Sequence, residues 1–161
     1  MNDNTKTIKY IAYASMIAAI YAVLVLIFQP ISFGMIQVRV AEMLTILPVF
    51  TPAAIPGLAI GCFLSNFLSG AEVFDVVFGT LATLLGAIGT YALREKKLLP
   101  VIPPIAFNTI IIPFVIRFAY GSDQPVIIIA AAIFAGEILS CGVLGVAFRK
   151  VFEKYRHYIF K

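Results

Sequence analysis

The chain has 161 residues, of which 61% are hydrophobic and only 12% charged, and it carries a net charge of +4. A soluble domain has roughly 25% charged residues, so half that supply cannot cover a water-facing surface. A mean hydropathy of +1.01 excludes an ordinary soluble domain, and the siting of the positive charge in tails and loops argues against a nucleic-acid partner.

Uncharged stretches follow one another along the chain at 10–38, 43–71, 76–93, 98–116 and 124–148, the last broken only by Glu137. About 20 apolar helical residues cross a ~30 Å hydrocarbon layer, so these are membrane spans. Lys6 and Lys9 precede the first run. That run is too long for a signal-peptide core and has no convincing small-residue cleavage site, so the first helix is expected to stay. The second run holds Pro48, Pro52 and Pro56 at its centre, which should divide it into two short helices. The expected fold is an all-α, six-transmembrane-helix bundle, a single domain over 1–161, with helices near 8–28, 36–48, 56–69, 74–93, 100–118 and 125–148.

Charge supports six spans over five. Lys6, Lys9, the cations of residues 94–97, and Arg149, Lys150, Lys154, Arg156 and Lys161 all fall on one side in a six-span chain. Cytoplasmic loops collect Lys and Arg, so a cell-membrane protein with both termini cytoplasmic is expected. The tail KVFEKYRHYIFK mixes bases with aromatics and is expected to continue the last helix along the interface, with the lone His157 solvated there. Cys62 and Cys141 lie in apolar runs without ligand spacing and are expected to be buried free thiols.

Seven charged residues lie outside the tails and the 94–97 loop: Arg39, Glu42, Glu72, Asp75, Arg117, Asp123 and Glu137. An ionisable group within a membrane is costly unless it is paired or lines a polar cavity, so each marks a possible site. Arg39 and Glu42, three residues apart, share a helix face. Asn66 and Asp75 sit near the outer ends of their helices, and Asn108 and Glu137 near the midplane. Together Arg39, Glu42, Asn66, Asp75, Asn108 and Glu137 describe a pocket open to the outside. Ionised carboxylates only accept hydrogen bonds, so the pocket suits a ligand rich in N–H donors. The alternative is an internal Arg39–Glu42 pair with amides that bridge helices.

Ala14, Ala18 and Ala22 recur every four residues, a stripe that admits a closely approaching helix. Its partner is either internal or a separate membrane subunit. No nucleotide-binding loop, zinc motif or activated nucleophile is visible. The chain therefore reads as a non-enzyme without a cofactor, and uphill transport would need energy from elsewhere.

The runs SFGMIQVRVAEMLTILPVF (32–50), GLAIGCFLSNFLSG (57–70) and DVVFGTLATLLGA (75–87) resemble the queuosine-precursor transporter family. Pro103, Pro104 and Asn108 of the fifth helix and Gly136–Glu137 of the sixth share that resemblance. It implies a substrate-binding S component of an energy-coupling-factor transporter. Such a subunit captures a 7-deazaguanine and docks on a transmembrane T component bound to two ABC ATPases, here through Ala14, Ala18 and Ala22. A 7-deazaguanine edge offers ring N–H and amino donors, and aminomethyl precursors add a cation, which suits Glu42, Asp75 and Glu137. The alternatives are an S component for a different vitamin or base, or a structural or assembly membrane protein without a ligand.

Overall fold

The computed structural model describes residues 3–29 and 38–159, with side chains as far as Tyr155. Among these residues every regular element is helical: α1 (Asp3–Ile27), a 3₁₀ helix (Val40–Val49), α2 (Ala54–Leu68), α3 (Val73–Ala92), a short 3₁₀ turn (Leu99–Val101) opening α4 (Ile102–Phe118), α5 (Val126–Glu137), a π-helical segment (Ile138–Leu144) and α6 (Gly145–Ile159). Four stretches are long and apolar enough to cross a membrane, namely Asp3–Ile27, Val73–Ala92, Leu99–Phe118 and Val126–Tyr155. Val40–Val49 and Ala54–Leu68 are apolar but shorter. The chain is thus a multi-pass helical membrane protein.

The three prolines divide the second apolar run as their chemistry requires. Pro48 sits near the end of the 3₁₀ helix. Pro56 falls in the first turn of α2, where a missing N–H leaves no intrahelical bond unmade. The helix expected near 36–48 differs in kind, since residues 40–49 wind as 3₁₀ rather than α. Its first expected residues, 36 and 37, lie outside the described residues.

This 3₁₀ helix is the axis of the molecule. Ala41, Glu42 and residues 44–48 are buried, and α1, α2, α3, α6 and the π segment all pack on it. It also joins the two ends of the bundle. At its start Arg39 pairs with Asp75 of α3; at its end Phe50 lies against Phe152 of α6, with ring centroids 5.4 Å apart.

Loop contacts define the same two ends. The Glu72 backbone N–H donates to the Tyr120 hydroxyl, and that hydroxyl donates to Asp75, so the 69–72 and 119–125 connections meet. At the opposite end Arg149 donates to the backbone carbonyl of Lys97 at 2.6 Å, tying α6 to the basic loop after α3. Helix α6 runs on without a break from the last span to Ile159, with Phe148 and Phe152 packed against the core. The His157 side chain lies outside the described residues.

Candidate functional site

The polar residues buried inside the bundle form two adjoining groups. The first joins the 3₁₀ helix, α1, α4, α5 and the π segment. Glu42 is fully buried, and Tyr21 of α1 donates to its Oε1 at 2.5 Å. Its other oxygen, Oε2, is buried with no hydrogen-bond partner. Glu137, at the last residue of α5, accepts from Asn108 Nδ2 at 3.0 Å and from the Cys141 thiol at 3.2 Å. The Cys141 thiol also lies 3.4 Å from the hydroxyl of Thr45, whose own donor reaches the Glu42 carbonyl.

Local helix type builds this group. In a 3₁₀ helix positions i and i+3 eclipse, so Thr45 stands directly over Glu42. Glu137 sits at the junction where α5 passes into the π segment, a wider winding often found at functional sites. Residue Ser140 of that segment is fully buried, and its hydroxyl has no partner.

The second group closes the end defined by Tyr120. Arg39 Nη2 lies 3.7 Å from Asp75 Oδ2, with both side chains largely buried. Tyr120 donates to the same oxygen at 2.9 Å. Burial pushes the Tyr120 hydroxyl up to about 12, and the Asp75 carboxylate beside it adds to the effect, so it remains a donor at neutral pH. Asn66 donates to the Asp75 backbone carbonyl at 3.3 Å. The second carboxylate oxygen, Asp75 Oδ1, is buried without a partner. Next to it Gly79 keeps space clear, because a Cβ there would lie 3.2 Å from Oδ1 and 3.1 Å from Asn66 Nδ2.

All six residues singled out in the sequence therefore point inward, and the Arg39–Glu42 ion pair weighed as the alternative is not formed. Arg39 pairs with Asp75 and not with Glu42. Arg39 precedes the helix in extended backbone, φ −85° and ψ 94°, so its side chain does not share the helical face that three-residue spacing implied. Asn66 and Asp75 fall in one group, Asn108 and Glu137 in the other, and Glu42 bonds to Tyr21.

The alanine stripe needs a larger correction. Ala14, Ala18 and Ala22 are buried within the fold, facing α2. A Cβ on Gly57 would come within 2.8 Å of the Ala14 carbonyl, and one on Gly61 within 2.9 Å of the Ala18 carbonyl. Helix α2 thus occupies the face expected to receive a separate subunit. The outward face of α1 is a different one, carrying Ile11, Ala12, Ser15, Met16, Ala19, Ile20 and Val23. Pro103 and Pro104 also act in packing: they seat on Gly89 and Gly86 of α3, where a Cβ would approach within 2.5 and 2.8 Å.

Sequence reasoning missed Tyr21, Tyr120, Thr45 and the thiol contacts. Tyr21 carried a signal, as a polar tip on the same face of α1 as Ala14 and Ala18, and so did Cys141, four residues after Glu137. Both cysteines are buried and free. Glu42, Glu137 and Cys141 each offer one potential metal ligand within 4.8 Å of the others. Without an ion, the Cys141 thiol donates to Glu137.

A helical membrane protein whose interior concentrates carboxylates, amides and hydroxyls away from its lipid-facing sides is built like a membrane carrier of a polar solute. The chain belongs to the QueT transporter family, whose model matches residues 11–154. Over 73 residues it is 42% identical to the queuosine precursor transporter QueT of Lactococcus lactis subsp. cremoris (strain MG1363). That match covers 44% of this chain and 43% of the relative, so it spans less than half the length of the relative. No solved structure matches the chain.

Proposed function

We propose that this chain is the substrate-capture subunit of an energy-coupling-factor importer and binds a queuosine precursor, a 7-deazaguanine, from outside the cell. The observation that carries this reading is the pair of buried, unpartnered carboxylate oxygens, Glu42 Oε2 and Asp75 Oδ1, within a chain of the QueT family. A buried acceptor without a donor costs about 1–3 kcal/mol, a cost that ligand N–H groups would remove. The ring N–H and exocyclic amino group of a deazaguanine supply such donors side by side. Arg39, Glu42, Asn66, Asp75, Asn108 and Glu137 are its proposed contacts.

The reading also takes the chain as a single domain crossing the membrane six times, with both termini cytoplasmic and the Tyr120 end outside. The two short helices support six crossings, because the 3₁₀ helix already links Asp75 at one end with Phe152 at the other. Energy would come from a T component and two ABC ATPases. With Ala14, Ala18 and Ala22 occupied by α2, the docking face is proposed on the outward side of α1, where the small residues Ser15 and Ala19 repeat the four-residue spacing.

Gentle purification of the tagged chain from its own cells tests the reading. ATPase subunits should co-purify, and mass spectrometry of the released small molecule should find a 7-deazaguanine. A different vitamin in the site would keep the carrier and replace the substrate. Neither ligand nor ATPase would contradict the whole reading.

A further inference from the structure

Helix length sets one charged surface at the depth of the lipid headgroups. Helix α3 has 20 residues, about 30 Å at 1.5 Å per residue, which matches the hydrocarbon thickness. The 94–97 loop that follows it therefore starts at the headgroup level. The last span opens at Val126 and passes through the π segment into α6, so the same distance ends near the start of α6, just before Arg149 and Lys150. Arg149 holds the two segments together, its Nη1 donating to the backbone carbonyls of Lys96 at 3.3 Å and Lys97 at 2.6 Å.

One patch thus forms from two segments distant in sequence. Arg94, Lys96, Lys97, Arg149, Lys150 and Lys154 stand against Glu95 and Glu153, a net +4 that equals the net charge of the entire chain. All of these cations but Arg149 are exposed. Among the described residues none of the six forms an ion pair with a carboxylate. Beside them Leu98, Leu99, Val151 and Tyr155 are also exposed. Cations interleaved with apolar side chains at the end of two spans match a lipid interface, where the apolar groups sit below the headgroups and the charges reach into them. An acidic protein surface would leave those apolar groups uncovered.

We infer that this patch binds the anionic headgroups of phospholipids in the leaflet at the Arg149 end of the bundle. A cluster of roughly 4–8 Lys and Arg next to a span attracts anionic lipid. The inference is independent of the substrate that the chain carries.

Native mass spectrometry of the purified full chain in detergent tests this with two probes, dioleoylphosphatidylglycerol and dioleoylphosphatidylcholine, which share acyl chains and differ in headgroup charge. The anionic lipid should bind at least about tenfold more tightly. Raising the ammonium acetate from about 0.1 M to about 1 M should shrink that preference, because it screens exposed charges. Replacing four exposed lysines together (Lys96→Gln, Lys97→Gln, Lys150→Gln and Lys154→Gln) should bring the two affinities together at an unchanged melting temperature. Arg117→Gln, at the other end of the bundle, should leave the preference intact. Equal affinities in the unaltered chain would overturn the inference and leave the patch as a topology signal alone. A preference that survives the four substitutions would also overturn it, by placing the lipid elsewhere. So would the loss of co-purifying ATPase subunits in the four-lysine variant when the unaltered chain shows no lipid preference, since the patch would then dock protein. The comparison of lipids in the unaltered chain needs no variant to fold.

Discussion

At Glu42, one carboxylate oxygen takes a short hydrogen bond from Tyr21 and the other takes none, although both are sealed from water. Removing the Tyr21 hydroxyl strips the remaining donor. Tyr21→Phe should therefore destabilise the chain by about 1–3 kcal/mol, read as a lower melting temperature in detergent, with the packing of the ring unchanged. If deazaguanine occupies the neighbouring space, ligand should restore much of that loss. The inward placement of the polar side chains was legible in the sequence, because a membrane leaves Glu42, Asp75, Asn108 and Glu137 few places but the interior. Their pairing was not. Arg39 meets Asp75 through a contact across thirty-six positions of sequence, and three-residue spacing pointed instead to Glu42. Glu137 and Cys141 are four residues apart, a spacing that any helix brings onto one face, so their contact was open to sequence reasoning; the π winding of ILSCGVL was not.

Among the elements, α1 shows how a pattern can be read correctly and assigned to the wrong neighbour. The four-residue alanine spacing does mark a close helix contact, and the partner is α2, which meets it with Gly57 and Gly61. Sequence alone left the internal and external partners open, since both need the same small residues. Gly61→Val should force α1 and α2 apart, costing about 1–3 kcal/mol by overpacking, seen as lost thermal stability of the isolated chain. Ala19→Trp, on the outward face, should leave that stability nearly unchanged and reduce recovery of ATPase partners. The opposite pattern would return the docking face to the buried stripe. The boundaries of the two middle long helices were more legible, Val73–Ala92 and Leu99–Phe118 lying within about a residue of 74–93 and 100–118, whereas the first helix begins earlier, at Asp3, and the last runs on to Ile159. The 3₁₀ winding of Val40–Val49 was hidden, since runs beyond three or four residues of that type are uncommon and its prolines indicate only a break.

Across the whole molecule, the two ends differ in charge and in contacts. The Tyr120 end joins Glu72, Asp75 and the 119–125 connection, and the Arg149 end gathers the 94–97 loop and the start of α6. If the basic end is cytoplasmic, a single cysteine at Asp123 should react with an impermeant maleimide in intact cells, and one at Lys96 should react only after lysis. Buried Cys62 and Cys141 need not be replaced for this labelling. Capture of substrate by this chain alone is the claim on which the rest depends, and calorimetry of the purified chain with 7-deazaguanines, without ATP or partner subunits, tests it most directly. Saturable one-to-one binding that weakens about tenfold or more in Glu137→Gln is the expected result; a folded chain that binds none of these bases would contradict it.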